Sequence, residues 1–191
     1  APAAGPQGAA LSEALQTILE SERQEILLDY APASGRGSHR RAGADWMRRV
    51  GLDVTADEVI VTAGAQQALA AALATMAGGR PVLVEALTYP GLLDIGRAMD
   101  VALHPVPMDA DGLVPDAFER AAEKTGARLA VLVPTLQNPT NTVLSEARRL
   151  EIAEISRRHD LTLVEDDVYG YVIEERPNPI AQLAPERTLY I

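Results

Sequence analysis

The residues best suited to chemistry are three consecutive acids, Glu165, Asp166 and Asp167, followed by Val168, Tyr169, Gly170 and Tyr171. They close the apolar run Leu161 to Val164, which reads as a buried strand. A carboxylate cluster at the C-terminal end of such a strand falls on the sheet edge where α/β proteins hold ligands. Asp166 and Tyr169, three apart across the strand-to-loop junction, can offer a carboxylate beside a phenol to one pocket. An acidic run can equally be a solvated loop, so the elements that would position these groups decide what they mean.

The bounds on those elements come from composition. A chain of 191 residues can bury a real core and suits one domain. Apolar residues make up 47% but aromatics only 4%, so Ala, Leu and Val must build that core. The absence of cysteine excludes disulfides, thiolate metal sites and cysteine nucleophiles, and the scattered His39, His104 and His159 suggest no metal site. No apolar run reaches the length of a membrane span and no secretory leader opens the sequence, so a soluble, cytoplasmic protein is expected. A net charge of −10 argues against nucleic-acid binding by this stretch itself. Lys124 is the only lysine, the single candidate for amine chemistry, and its position at the end of a helix suits an ordinary surface lysine.

Residues 1–10, rich in Ala, Pro and Gly, read as a linker or disordered terminus, and residues 11–50 as a helical segment and loop. Leu11, Leu15, Ile18, Leu19 and Ile26 keep helical spacing, an amphipathic helix that packs on something larger. A glycine-rich loop follows, then a helix over Arg40 to Val50 with Trp46, Met47 and Val50 on its apolar side. Residues 51–191 alternate strand and helix. Val59 to Thr62 predicts a β-branched strand, Gln66 to Met76 a helix, Val82 to Glu85 a strand, and a helix runs on to about Met99. Leu103 to Val106, Leu129 to Val133, Leu161 to Val164 and Thr188 to Ile191 complete the strands. Pro115 to Lys124 and Ser145 to His159 are helices, the latter with Ser145 as N-cap and Arg148, Arg149, Arg157 and Arg158 outward. The pattern predicts an α/β fold of three layers, α/β/α, on a mostly parallel sheet, whose post-strand loops converge on one edge.

Those loops hold Gly64, Ala65 and Gln66; Tyr89; Asn138; and Asp166 with Tyr169. A glycine turn opening a helix presents free amides and a partial positive charge, suited to a phosphate. Tyr89 can lie over a planar ring, Asn138 beside Pro139 offers an amide donor, Asp166 can hold a proton on a ring nitrogen, and Tyr169 can donate to a phenolate oxygen. Together they meet the demands of an electron-sink pyridine cofactor. Singly, each is also an ordinary turn residue, and no dinucleotide or phosphate-loop lysine motif is present.

The ordered runs Tyr30-Ala31-Pro32-Ala33-Ser34-Gly35, Thr62-Ala63-Gly64-Ala65-Gln66, Thr88-Tyr89-Pro90-Gly91, Asn138-Pro139-Thr140 and Asp166-Asp167-Val168-Tyr169 resemble the large domain of fold-type I, class I/II aminotransferases. The resemblance implies pyridoxal 5'-phosphate, with Asp166 on the pyridine nitrogen, Tyr169 and Asn138 on the ring oxygen, Tyr89 stacked on the ring and Gly64 to Gln66 around the phosphate. Tyr30 is similar to the tyrosine that reaches the partner subunit's phosphate, which implies a homodimer. Ser38-His39-Arg40-Arg41-Ala42-Gly43-Ala44-Asp45-Trp46, Pro134-Thr135-Leu136-Gln137-Asn138-Pro139-Thr140 and Leu183-Ala184-Pro185-Glu186-Arg187-Thr188 further resemble the aminotransferase-like domain of MocR-type regulators in the GntR superfamily. That branch implies a ligand-sensing domain for an amino-acid-like effector, with DNA bound by a separate winged helix-turn-helix. A free-standing aminotransferase and an α/β domain without cofactor are the other readings. The family's cofactor-linking lysine is expected shortly after a strand like Thr188 to Ile191, so this stretch alone is expected not to transaminate. Asn141 stands where the family's commonest motif has glycine.

Overall fold

A computed structural model describes residues 6–20 and 28–191. Its central feature is a five-stranded, wholly parallel sheet in the order β2-β1-β5-β6-β7. The strands are β1 Val82–Glu85, β2 Leu103–Val106, β5 Leu129–Leu132, β6 Thr162–Glu165 and β7 Thr188–Tyr190. Between β2 and β5 lies a two-stranded ribbon, β3 Met108–Asp109 against β4 Gly112–Leu113. The helices are α1 Pro6–Glu20, α2 Gly37–Arg49, α3 Ala65–Met76, α4 Pro90–Ala98, α5 Pro115–Thr125, α6 Glu146–Arg158 and the single turn α7 Ile180–Leu183.

The layers follow from the strand period of two. Val82, Val84, Leu129, Val131 and Val164 point to one face, where they pack with Leu69 and Leu73 of α3 and Leu92 and Ile95 of α4. Leu83, Ala130, Leu132 and Leu163 point to the other, against Phe118 of α5 and Ile152 of α6. β5 is buried on both faces, as a central parallel strand must be. Local signals set the helix ends. Pro115 opens α5 and Gly126, in the left-handed region at φ 62°, closes it; Ser145 caps α6, its side chain accepting the Arg148 amide at 3.4 Å.

The expected strand at Val59 to Thr62 does not form. The segment is extended, but the Val61 amide donates to Ser34 O at 3.0 Å, a loop residue, and Ile60 is exposed. β-branched residues record a fit to a pleated, half-buried surface, and no ladder partner supplies one here. The first helix starts at Pro6, inside the segment expected as a linker; the expected continuation over residues 21–26 lies outside the described residues. Its Leu11 and Leu15 are exposed. On α2, Ala44 is the buried residue, while Trp46 is half-exposed under the Arg49 guanidinium, 5.5 Å from the ring centroid. Arg149 is the largest correction. Expected on the outer face of α6, it is fully buried, because its guanidinium is consumed by the loop that precedes the helix. It donates to Leu144 O (3.0 Å), Pro134 O (2.8 Å) and Thr135 Oγ1 (3.0 Å). No helix among the described residues is long and apolar enough to cross a membrane.

Candidate functional site

The chain leaves β1 for β2 on one side and resumes at β5 on the other, so the sheet order reverses between β1 and β5. Ligands of open α/β sheets sit outside the carboxyl ends at such a reversal. A cavity of about 150 Å³ opens there, lined by Ala65, Gln66, Tyr89, Asn138, Asp166 and Tyr169, with Leu69, Val133 and Val168 supplying apolar wall. These are residues that the sequence singled out from separate loops. Gly64 caps the same end of α3.

Strand geometry sorts the three acids. Val164 faces the α3 side, so Asp166, two residues on, faces it too and reaches the cavity. Its amide extends the ladder, donating to Leu132 O at 2.9 Å, and the residue is 6% exposed. Its Oδ1 is buried without a hydrogen-bond partner. Burial pushes the Asp166 carboxyl above its ordinary range; the Asp167 charge adds to this and the Val168 amide opposes it. Glu165 and Asp167 project to the opposite side. Glu165 accepts the first two amides of α7, Ile180 N at 3.0 Å and Ala181 N at 2.8 Å, with Arg149 Nη1 3.5 Å away. Burial still drives its carboxyl up to about 7. Asp167 accepts hydrogen bonds from the Tyr190 hydroxyl and the Arg176 guanidinium.

Gly64 adopts φ 102°, a conformation open to glycine, and offers no side-chain cap, so the first amides of α3 face the cavity end of the helix unscreened. Tyr89 is the N-cap of α4 and Pro90 its first residue. The tyrosine ring folds over Gly91, where any Cβ would meet Tyr89 Cζ at 2.3 Å. Only glycine permits that approach. Asn138 is joined to Pro139 by a cis peptide bond. Tyr169 is 47% exposed at the cavity mouth, whereas Tyr30 is 98% exposed and does not line the cavity. Lys124 lies in the last turn of α5, which ends just before β5 begins, at the amino edge of the sheet, opposite the cavity.

Two supporting residues escaped the sequence reading. Glu85 ends β1, is 1% exposed, and accepts from Val133 N at 3.1 Å and Gln137 Nε2 at 3.3 Å. Burial pushes its carboxyl up to about 8, against the pull of those two donors. An acid closing the apolar run Val82 to Val84 was the available signal, as Glu165 closes Leu161 to Val164. Gln137 was visible only as one polar residue in a polar loop.

The family model for aminotransferase class I and II matches residues 4–190. The HTH-type transcriptional regulator YjiR of Escherichia coli is 33% identical over 181 residues, covering 94% of this chain and 37% of the regulator. The 2-aminoadipate transaminase of Thermus thermophilus is 32% identical over 178 residues, 92% of this chain and 43% of the enzyme. Among solved structures, the alpha-aminoadipate aminotransferase LysN of Thermus thermophilus, complexed with N-(5'-phosphopyridoxyl)-L-leucine, superposes with a TM-score of 0.84 at 29% identity, covering all of this chain and 49% of LysN. The chain thus spans about two fifths of the length of these curated relatives. With a parallel sheet, a carboxyl-edge cavity and a family match over nearly every residue, the chain belongs to the aminotransferase class I and II family.

Proposed function

We propose that the cavity binds pyridoxal 5'-phosphate and that the chain is the aminotransferase-like effector module of a GntR/MocR-type transcription regulator, with DNA bound by a winged helix-turn-helix outside this stretch. In this reading residues 51–191 form the cofactor-binding unit and residues 11–50 its N-terminal arm. The observation that carries it is Asp166 Oδ1, a buried carboxyl oxygen with no partner inside a cavity. A protonated pyridine nitrogen is the group that oxygen lacks, and pairing with its positive charge would favour the carboxylate against the burial that raises the Asp166 carboxyl. The rest of the lining fits the same molecule. Tyr89 gives a ring face, the Asn138 amide and Tyr169 phenol give donors for a ring oxygen, and the amides from Gly64 to Gln66 give a cradle for a phosphate.

When bound, the cofactor supplies an electron sink for charge released at the α-carbon of an amino acid. The chain's own work is to keep a proton on the ring nitrogen through Asp166, to fix the ring's tilt through Tyr89, and to anchor its far end on α3. Tyr30, exposed and outside its own cavity, is assigned to the phosphate of the partner subunit's cofactor in a homodimer. Regulator similarity to YjiR, and to YdeF of Bacillus subtilis at 27% identity over 179 residues, supports a DNA-binding neighbour domain. Identity to 2-aminoadipate transaminase supports the second reading, a class I/II aminotransferase acting on an amino acid and a 2-oxo acid.

The test is an absorption spectrum of the whole protein with added pyridoxal 5'-phosphate, before and after borohydride. A band near the visible edge that reduction fixes to the chain is expected, together with effector-dependent DNA retardation and little amino transfer. Turnover of an amino acid without DNA binding would select the enzyme instead. No band would overturn the cofactor reading.

A further inference from the structure

Behind the cavity, Glu85 and Gln137 connect two of its walls through one hydrogen-bonded chain. Glu85 Oε2 accepts from Val133 N at 3.1 Å and from Gln137 Nε2 at 3.3 Å. The same Gln137 nitrogen donates to Leu87 O at 2.6 Å. Gln137 Oε1 accepts from Thr140 N at 3.1 Å and from Thr140 Oγ1 at 2.8 Å. One amide therefore spans from the loop after β1, two residues before Tyr89, to the loop after β5, one residue before Asn138. Both Glu85 and Gln137 are 1% exposed, so neither can touch a ligand through the cavity mouth. Their bonds run instead to the backbone that carries the two residues that do line it.

We propose that Glu85 and Gln137 are positioning residues that hold Tyr89 and Asn138 in a fixed relation, so that a planar ligand is stacked and hydrogen-bonded in the same pose. This rests on the reading that the cavity takes pyridoxal 5'-phosphate. The chemistry demanded differs at the two positions. At 85 the network uses an acceptor oxygen, which a glutamine side chain also provides. At 137 it uses a donor facing Glu85 and Leu87 and an acceptor facing Thr140, which only an amide provides. None of these bonds runs to the N-terminus of α3, so the phosphate end of the ligand is independent of the pair.

The experiment compares the whole protein with its Glu85→Ala, Glu85→Gln and Gln137→Ala variants. It reads affinity for pyridoxal 5'-phosphate, the position of the bound absorption band, and amide hydrogen exchange at Val133 and Thr140 without ligand. Losing the tie is expected to weaken binding about tenfold in Glu85→Ala and Gln137→Ala, about the worth of one buried hydrogen bond. The band should shift and the two amides exchange faster. Glu85→Gln should restore affinity and band to within about twofold, and inorganic phosphate should compete equally well in every variant that folds. If the alanine variants lose thermal stability but keep the wild-type affinity and band, the pair is merely structural and the proposal is overturned. Should Glu85→Ala fail to fold, Gln137→Ala, altered in a loop, decides alone. A wild-type protein that binds no pyridoxal 5'-phosphate overturns the parent reading, and the positioning role with it, whereas wild-type binding unchanged in the variants overturns the positioning role alone.

Discussion

Glu165, Asp166 and Asp167 share a charge type and a strand end yet do unlike things, because alternate residues of β6 leave the sheet on opposite sides. Asp166 alone faces the cavity without a partner, so Asp166→Ala should cut affinity for pyridoxal 5'-phosphate by tenfold or more, roughly the 1.5–3 kcal/mol of a charged hydrogen bond. Spectral titration of the whole protein checks this; unchanged affinity would remove the cavity's defining interaction. Glu85 gives a prediction in pH. Its carboxyl is pushed up to about 8 by burial, so the folded chain holds a proton that the unfolded chain releases near the ordinary carboxylate value. Its contribution to stability is complete below that ordinary value and is lost as pH rises toward 8, at up to about 1.4 kcal/mol per pH unit. Asp166 is the titratable neighbour acting on it. Glu85→Gln should flatten that slope in denaturant unfolding at successive pH values; an identical slope in the variant would mean that Glu85 does not carry it. The cavity residues could be picked from the sequence because each sits in a turn with a distinctive neighbour, such as Pro90 after Tyr89 or Pro139 after Asn138. Glu85 offered only its place as the acid closing Val82 to Val84, and Gln137 its place in a polar loop; what distinguishes both is the partner each meets about fifty positions away.

At the scale of elements, α6 and the loop before it form a unit closed by Arg149. Removing its side chain strands the carbonyl of Leu144, takes from that of Pro134 one of its two donors, and leaves Glu165 without its cationic neighbour. Arg149→Ala should cost about 3–5 kcal/mol of stability, read as a fall in the denaturant midpoint, with Asn138 displaced because it rides on the same loop. A cost below about 1 kcal/mol would show that the loop holds without its staple. At α4, Gly91→Ala should weaken ligand stacking more than it weakens the fold, because the ring over Gly91 must swing away; equal affinity in the variant would mean that the ring pose is not fixed there. Helix and strand periods were legible wherever an element packs on the sheet. They failed at Val59 to Thr62, where a strand-like composition lacks a partner strand, and at Arg149, where a charged residue on a polar-looking stripe turns inward to serve backbone carbonyls.

For the whole molecule, topology does most of the work: reversal of strand order between β1 and β5 gathers α3, the β1 and β5 loops and the end of β6 at one place. The alternation of strands and helices was enough to foresee the layers and the edge. It could not reveal that the ribbon β3–β4 is pinned to α6 by a two-pronged contact of Arg148 with Asp109, both prongs at 2.7 Å, which holds the Asp109 carboxyl down at about 2. The proposed homodimer rests on Tyr30. In the whole protein, Tyr30→Phe should lower affinity for pyridoxal 5'-phosphate about tenfold or more, as loss of one hydrogen bond to a charged group would, while leaving thermal stability unchanged because the side chain is exposed. Equal affinities would detach Tyr30 from any phosphate.

Glu85 and Glu165 end the two strands that flank β5, and each fastens a following segment to the sheet through backbone amides. Burial brings both acids to ionisation near neutrality, at about 8 and about 7. The carboxyl edge is thus sewn by two acids that take on buried charge together in mild alkali, a cost that falls on the rim, while β5 between them is anchored by apolar contact indifferent to protons. Raising the pH should fray the molecule from its ligand-facing rim inward, with segments 133–142 and 179–184 opening to exchange and protease well before the sheet itself yields.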